Sequence, residues 1–333
     1  MTRTPIRRAL AARFLRPIAL SALLLGGAAG AALAQSYPDR PIRLIVPFGP
    51  GGGTDLLARV VAEKAGEILG RSVVVENRAG GGATVGIIAL TQARPDGYTL
   101  AVCPPICATA PSLYTPAPFD PATAFAPVTA LADLPLVLVA QRGLGVTDLR
   151  GLLAKARSMP QGLNYASPGA GSSNHLAAEA MRRATGLEMT NIPYRSGAAA
   201  LTDIVSGRVD IYFDTVASAL PQIRSGTVVA LGVTGPARAT QLPEVPTMSE
   251  AGLPGLETSP RALLVAPAGT PEPILARLNA AFVEALRDAA TARRLVEIGT
   301  EPAGGTAAEA SARLAEETAR LGQLIRENRI TAD

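Results

Sequence analysis

The run I-R-L-I-V-P-F-G-P-G-G-G-T-D over residues 42–55 leaves the chain few choices. Leu44, Ile45 and Val46 have the composition of a buried strand. Pro47, Pro50 and the glycines Gly51, Gly52 and Gly53 must end it. Leu57, Val60, Val61 and Ile68 then recur at helical spacing, so a helix follows with Thr54 or Asp55 as its N-cap. A strand, a glycine loop and a helix start form an anion-binding arrangement: backbone N–H groups converge and the helix dipole favours negative charge. The same turn also occurs in α/β proteins that bind nothing with it. No Lys follows the glycines, which excludes a Walker A loop. Thr54 and Asp55 displace the later glycine of a G-x-G-x-x-G fingerprint.

Alternation of strand and helix continues beyond this stretch. Residues 72–76 and 98–102 read as strands with a helix over 83–93 between them, giving βαβαβ and a parallel sheet covered by helices. Gly80, Gly81 and Gly82 form a second glycine loop at the carboxyl edge of that sheet, where ligands of open α/β folds bind. Residues 111–127 are proline-rich and read as irregular. Residues 127–132 and 136–140 read as strands, split by Asp133, Leu134 and Pro135. A second series repeats the design: a strand at 163–166, the loop S-P-G-A-G-S-S over 167–173, and a helix over 174–184. Strands at 189–192, 209–213, 228–233 and 262–266 follow, with long amphipathic helices over 271–289 and 306–326. The length suits two domains of ordinary size.

Residues 1–34 stand apart. Arg3, Arg7, Arg8, Arg13 and Arg16 precede an apolar stretch over 18–32, and Ala32-Leu33-Ala34 is a small-x-small cleavage site. That is the pattern of a cleaved export signal rather than of an anchor. The segment also distorts the charge. Removing its five Arg from the 31 basic residues leaves 26 against 27 acidic ones, a net −1, so the high sequence pI makes no case for nucleic acid.

An exported chain meets an oxidising compartment, and Cys103 and Cys107 are its only cysteines. They flank Pro104-Pro105-Ile106, and two readings stand: a small disulfide loop or two free thiols. The C-x-x-C redox spacing is missing, and so few soft ligands argue against zinc. No cofactor is indicated. Asp214 closes a strand, as the N-cap of the next helix, as a ligand contact, or as both. Ser172, His175 and Asp214 are residue types of a nucleophilic triad, but Ser172 and His175 stand three apart on one helix start, side by side, and no G-x-S-x-G elbow exists. With one His and two Cys, acid–base and metal chemistry have few groups. The chain reads as a binding protein and not an enzyme.

The motifs fall in a recognisable order: Tyr37-Pro38-x-x-Pro41-Ile42-Arg43-x-Ile45-Val46-Pro47-Phe48, then Pro50-Gly51-Gly52-Gly53-Thr54-Asp55, Val74-Val75-Glu76-Asn77-Arg78 and Pro95-Asp96-Gly97-Tyr98-Thr99-Leu100. Pro111-Ser112-Leu113-Tyr114, Leu163-Asn164-Tyr165, Pro193-Tyr194, Phe213-Asp214 and Ala266-Pro267-Ala268-Gly269-Thr270-Pro271 complete it. This order resembles the periplasmic solute receptors of tripartite tricarboxylate transporters, the Bug or TctC type. The resemblance implies a type II periplasmic-binding-protein fold: two α/β lobes joined by crossing hinge strands, with a ligand cleft between. Lobe 1 is expected over residues 35–141 and 261–333, and lobe 2 over 142–260. It also implies a monomer in the periplasm. Its partners would be a small carboxylate ligand and membrane permease subunits, or, in the alternative, a signalling receptor without transport.

Carried over by position, the first-lobe contacts are Phe48, Gly52, Gly53, Thr54, Gly82, Ala83 and Thr84; the second-lobe contacts are Gly171, Ser172, Ser173 and Asp214. His175 reads as structural. Three departures stand out. Pro104-Pro105 and the two cysteines replace small hydroxyl residues, which removes two N–H donors. Arg261 occupies a column where many relatives carry Trp, and facing the cleft it would pair with a second carboxylate. Arg195 follows Pro-Tyr where Lys is frequent.

Overall fold

The computed structural model describes residues 37–256, 259–327 and 330–331. The export signal lies outside the described residues. The chain divides into a short N-terminal unit ending at Asp39 and a body that starts at Arg40. Of the first unit, residues 37–39 are described, with a cis Tyr37–Pro38 peptide.

The body begins with Ile42–Val46 (β1), buried at every position but Arg43. A parallel sheet covered on both faces needs such a continuous apolar run. Gly53–Leu69 (α1), Val73–Asn77 (β2), Thr84–Thr91 (α2) and Thr99–Cys103 (β3) follow, then Ile106–Leu113 (α3), Pro121–Ala124 (α4) and Phe125–Asp133 (β4). The chain crosses to a second sheet with Leu136–Gln141 (β5), Leu149–Arg157 (α5), Leu163–Ser167 (β6), Ser173–Thr185 (α6), Met189–Pro193 (β7), Gly197–Val205 (α7), Ile211–Thr215 (β8), Val216–Arg224 (α8) and Val228–Val233 (β9). It returns through Arg261–Pro267 (β10) and ends with Glu272–Arg287 (α9), Ala289–Glu297 (α10), Glu301–Gly304 (β11) and Ala307–Glu327 (α11).

The two sheets run β11-β4-β10-β3-β1-β2 and β7-β6-β8-β5-β9. In the first, β1 pairs in parallel with β2 and β3, while β10 lies antiparallel between β3 and β4. In the second, β6 pairs in parallel with β7 and β8, while β5 lies antiparallel between β8 and β9. Each sheet thus has a parallel half, whose strand ends carry the loops, and one central strand contributed by a distant segment. Alternate residues of β5 feed two cores: Leu136, Leu138 and Ala140 on one face, Val137 and Val139 on the other. The last helix returns Leu314, Leu321 and Ile325 to the core of the first sheet, beside Ile45, Ala101 and Val265.

Three expectations change. The first lobe does not extend to residue 141, because β5 sits in the second sheet. The crossing is at Leu134 and Pro135, where Leu134 N–H donates to the Pro260 carbonyl of the returning strand at 2.8 Å. Residues 111–127 are not wholly irregular: α3 ends at Leu113 and α4 lies over Pro121–Ala124. Proline costs little in the first turn of a helix, whose N–H groups have no partner there, so Pro104 and Pro105 lead into α3 rather than block it. Finally, α10 and β11 separate the two long helices of the C-terminal region.

Candidate functional site

Asp55 shapes the loop after β1, but not as a cap. The N-cap of α1 is Gly52. The Asp55 carboxylate is buried and accepts from Gly51 N–H at 2.9 Å, Arg59 Nε at 3.0 Å and Asn77 Nδ2 at 2.8 Å. Burial alone would raise its pKa; these donors overcome burial and hold it low. Asn77 also donates to the Phe48 carbonyl at 3.0 Å, tying the loop to β2. The loop is therefore braced from below by Asp55 and Asn77.

The corresponding loop of the second lobe is braced by its own residues. Ser172 Oγ donates to the Gly169 carbonyl at 2.7 Å and accepts from His175 N–H at 3.3 Å, capping α6. Gly171 N–H donates to His175 Nδ1 at 3.2 Å. His175 is buried, and burial lowers its pKa, so it works as a neutral acceptor. Ser172 and His175 are both spent on loop structure, in a geometry that does not place the imidazole on the Ser172 hydroxyl. Asn174 donates to the Phe213 carbonyl at 2.6 Å and to the Tyr212 hydroxyl at 3.3 Å, fixing the start of α6 to the end of β8.

Asp214 stands at that strand end and is 2% exposed. Its Oδ1 accepts from Thr215 N–H at 2.8 Å, while Oδ2 is buried without a partner. The helix that follows is capped by Thr215, whose hydroxyl accepts from Ser218 N–H at 3.3 Å. Capping is thus the neighbour's task. Burial pushes the Asp214 carboxyl up to about 7, although the hydroxyls of Ser218 and Tyr212 and the Thr215 N–H favour the ionised form.

These strand ends flank a cleft of about 40 Å3 between the two sheets' loops. Phe48, Gly52, Gly53 and Thr54 line it from one lobe, Ser173 and Asp214 from the other, and Arg261 from the returning strand. Pro104 and Pro105 form part of the wall, and Tyr212, Asn174, Gly197 and Thr215 join the second-lobe side. Sequence reasoning passed over the last four. Their signal was position alone: each lies within a few residues of a strand end.

Gly82, Ala83, Thr84, Gly171 and Ser172 do not line this cleft; the loops that hold them meet across the lobes. A Cβ on Gly82 would fall 2.5 Å from the Ala170 carbonyl oxygen, and one on Gly169 would fall 2.5 Å from Gly82 Cα. Thr109 Oγ1 donates to the Gly171 carbonyl at 3.2 Å, and Gly49 N–H donates to the Arg195 carbonyl at 3.3 Å. The lobes are closed on each other, and these glycines let the backbones approach.

Arg261 lines the cleft, yet its charge is already engaged. Nε and Nη2 grip the two oxygens of Asp133 at 2.6 and 2.5 Å. Its pKa is raised chiefly by that pairing.

Cys103 and Cys107 are bonded, closing a short loop that holds Pro104 and Pro105 between β3 and α3. Short loops still gain: a crosslink across about five residues contributes roughly 2 kcal/mol on the chain-entropy account. The Cys103→Ala, Cys107→Ala double variant is expected to lose about that much in urea unfolding. Alkylation of the unfolded wild type without reductant should label neither cysteine; labelling of both would identify free thiols.

Residues 57–330 match the family model described as tripartite tricarboxylate transporter family receptor. The protein BugT of Bordetella pertussis is 36% identical over 306 residues, covering 90% of this chain and 93% of BugT. The solved structure of the periplasmic binding protein BugD has a TM-score of 0.86 and 31% identity, covering 88% of this chain and 99% of its own. The R. palustris protein Rpa4515, solved with adipate, has a TM-score of 0.85 and 34% identity over the same shares.

Proposed function

The chain belongs to the family of tripartite tricarboxylate transporter receptors, and from that premise we propose that it captures a small organic acid in the interlobe cleft and delivers it to a membrane permease of the tripartite type. The family is one of periplasmic solute receptors, not of enzymes. The observation that carries the reading is the cleft itself. Gly52, Gly53 and Thr54 open α1 on one side, and Ser173 opens α6 on the other. Two helix N-termini facing one enclosed space favour a carboxylate through main-chain N–H groups and two dipoles of the same sense. Adipate in the R. palustris relative is a ligand of that chemistry.

Thermal unfolding with a panel of mono-, di- and tricarboxylates tests the proposal. A ligand at about 100 times its Kd stabilises the native state by roughly 2.7 kcal/mol. At least one acid should therefore raise the melting temperature, and Thr54→Leu, which fills the cleft wall, should cancel the shift while the free protein still folds. A flat response to every acid would sink the carboxylate-receptor reading.

A further inference from the structure

The pair Asp133–Arg261 has a consequence for what the cleft accepts. Asp133 ends β4, Arg261 begins β10, and the two are register partners across these strands. Both lie where the chain passes between lobes. Asp133 uses Nε and one N–H of Nη2. The guanidinium carries five N–H donors, so Nη1 is outside that grip. Arg261 can thus donate directional hydrogen bonds to a ligand, but its charge is balanced.

The other charged and titratable groups add no positive surplus. Asp214 and Tyr212 line the same cleft from β8. Glu317 acts on Arg261 from α11 and is itself answered by Arg313 and Arg320. His175, at the start of α6, is held neutral by burial. One ligand carboxylate is met by helix N-termini and glycine N–H groups. A second carboxylate would enter a space whose cation is neutralised by Asp133 and whose wall also carries Asp214. Burying a charge without a counter-charge is unfavourable, whereas a neutral oxygen accepting from Arg261 carries no such cost.

We propose, resting on the carboxylate-receptor reading, that Asp133 determines ligand class: by neutralising Arg261 it makes the cleft select acids with one carboxylate and a neutral polar group at the far end, over dicarboxylates. Asp133 acts through Arg261 and is a positioning residue.

Isothermal titration with matched pairs tests this: γ-hydroxybutyrate against succinate, δ-hydroxyvalerate against glutarate, and ω-hydroxyhexanoate against adipate. Each pair shares a chain length and differs by one charge. In the wild type, the hydroxy acid of the best-fitting length should bind at least about 10-fold tighter than its diacid, the scale of one unpaired buried charge. Asp133→Asn keeps the shape and frees the cation, so the ratio should shift toward the diacid by about 10-fold or more. A general loosening of the hinge would weaken both members of a pair and leave their ratio alone. Diacids equal to or tighter than hydroxy acids in the wild type would overturn the proposal, as would an unchanged ratio in a folded Asp133→Asn. The wild-type ratio needs no variant, so misfolding of Asp133→Asn does not shield the idea. If no member of any pair binds, nor any acid of the thermal panel, the receptor reading itself falls, and this inference with it.

Discussion

Gly53→Ala is expected to abolish ligand-induced stabilisation and to weaken ligand binding at least about 100-fold, a loss of roughly 2.7 kcal/mol, while the ligand-free protein melts at or slightly above the wild-type temperature. Gly53 is the first residue of α1, and its φ is not in the left-handed region. Alanine is locally compatible there and has the higher helix propensity. Across the interface the situation differs. A Cβ on Gly53 would lie 2.3 Å from Thr215 Oγ1 and 2.8 Å from Thr215 Cβ. Thr215 cannot swing away freely, because its hydroxyl caps α8 by accepting from Ser218 N–H. One methyl group therefore acts only on the closed arrangement of lobes, as a hinge-closing receptor requires. The rescue is specific. Thr215→Gly in the Gly53→Ala background removes the obstacle at a capping cost of only a few tenths of a kcal/mol, and should restore most of the affinity. Gly82→Ala would be a poorer probe, since φ is +61° there and the substitution strains the loop in any state. Unimpaired binding by Gly53→Ala would mean that ligand is held without this closure.

The contrast between Gly53 and Gly82 shows how far the sequence could be read. That a strand ends in a glycine loop and a helix begins was legible, because proline, glycine and helical spacing are local signals. Phe48, Gly52, Gly53 and Thr54 of that loop, expected as ligand contacts, stand at the cleft wall. The division of labour among the glycines was not legible. Whether a glycine bares its N–H to a ligand or clears space for the opposite lobe depends on residues distant in the chain, Thr215 for Gly53 and Ala170 for Gly82. Asp55 resembled an N-cap by composition, but its partner Asn77 lies on the neighbouring strand, and only the β1–β2 register brings it into reach. The same holds for Arg261 and Asp133, which are 128 residues apart. The strand character of β5 was visible in its apolar run, yet strand propensity carries no information about which sheet accepts it. Two short strands split by Leu134 and Pro135 read equally well as a hairpin or as a crossing between lobes.

The second large expected effect concerns pH. The stability difference between wild type and Asp214→Asn should fall steadily as pH rises from about 4 to about 8, by on the order of 4 kcal/mol, or roughly 5–8 °C in melting temperature for a chain of this length. The sign follows from the direction of the shift. Burial raises the folded-state pKa of Asp214 from 3.8 to about 7. A group raised on folding stabilises the native state fully below its unfolded pKa, and loses that contribution as pH climbs through the folded value. Near neutrality and above, the wild type must either bury a carboxylate whose Oδ2 has no partner or open locally to hydrate it. Asparagine fills the same volume without a charge and is spared that choice. The variant should therefore gain on the wild type in alkaline buffer and match it or trail it near pH 5. Tyr212 does not blur the comparison, because burial holds its pKa well above the ordinary tyrosine range and it stays neutral throughout the window. Glu317 is also raised by burial, but it is present in both proteins and cancels in the difference. Parallel melting curves across this range would show that Asp214 is ionised in the folded protein at every pH, with a donor satisfying Oδ2. A ligand that offers such a donor should flatten the pH dependence of the wild type and leave that of Asp214→Asn unchanged. The same pair of proteins thus reports both the cost of burying this carboxyl and whether the ligand relieves it.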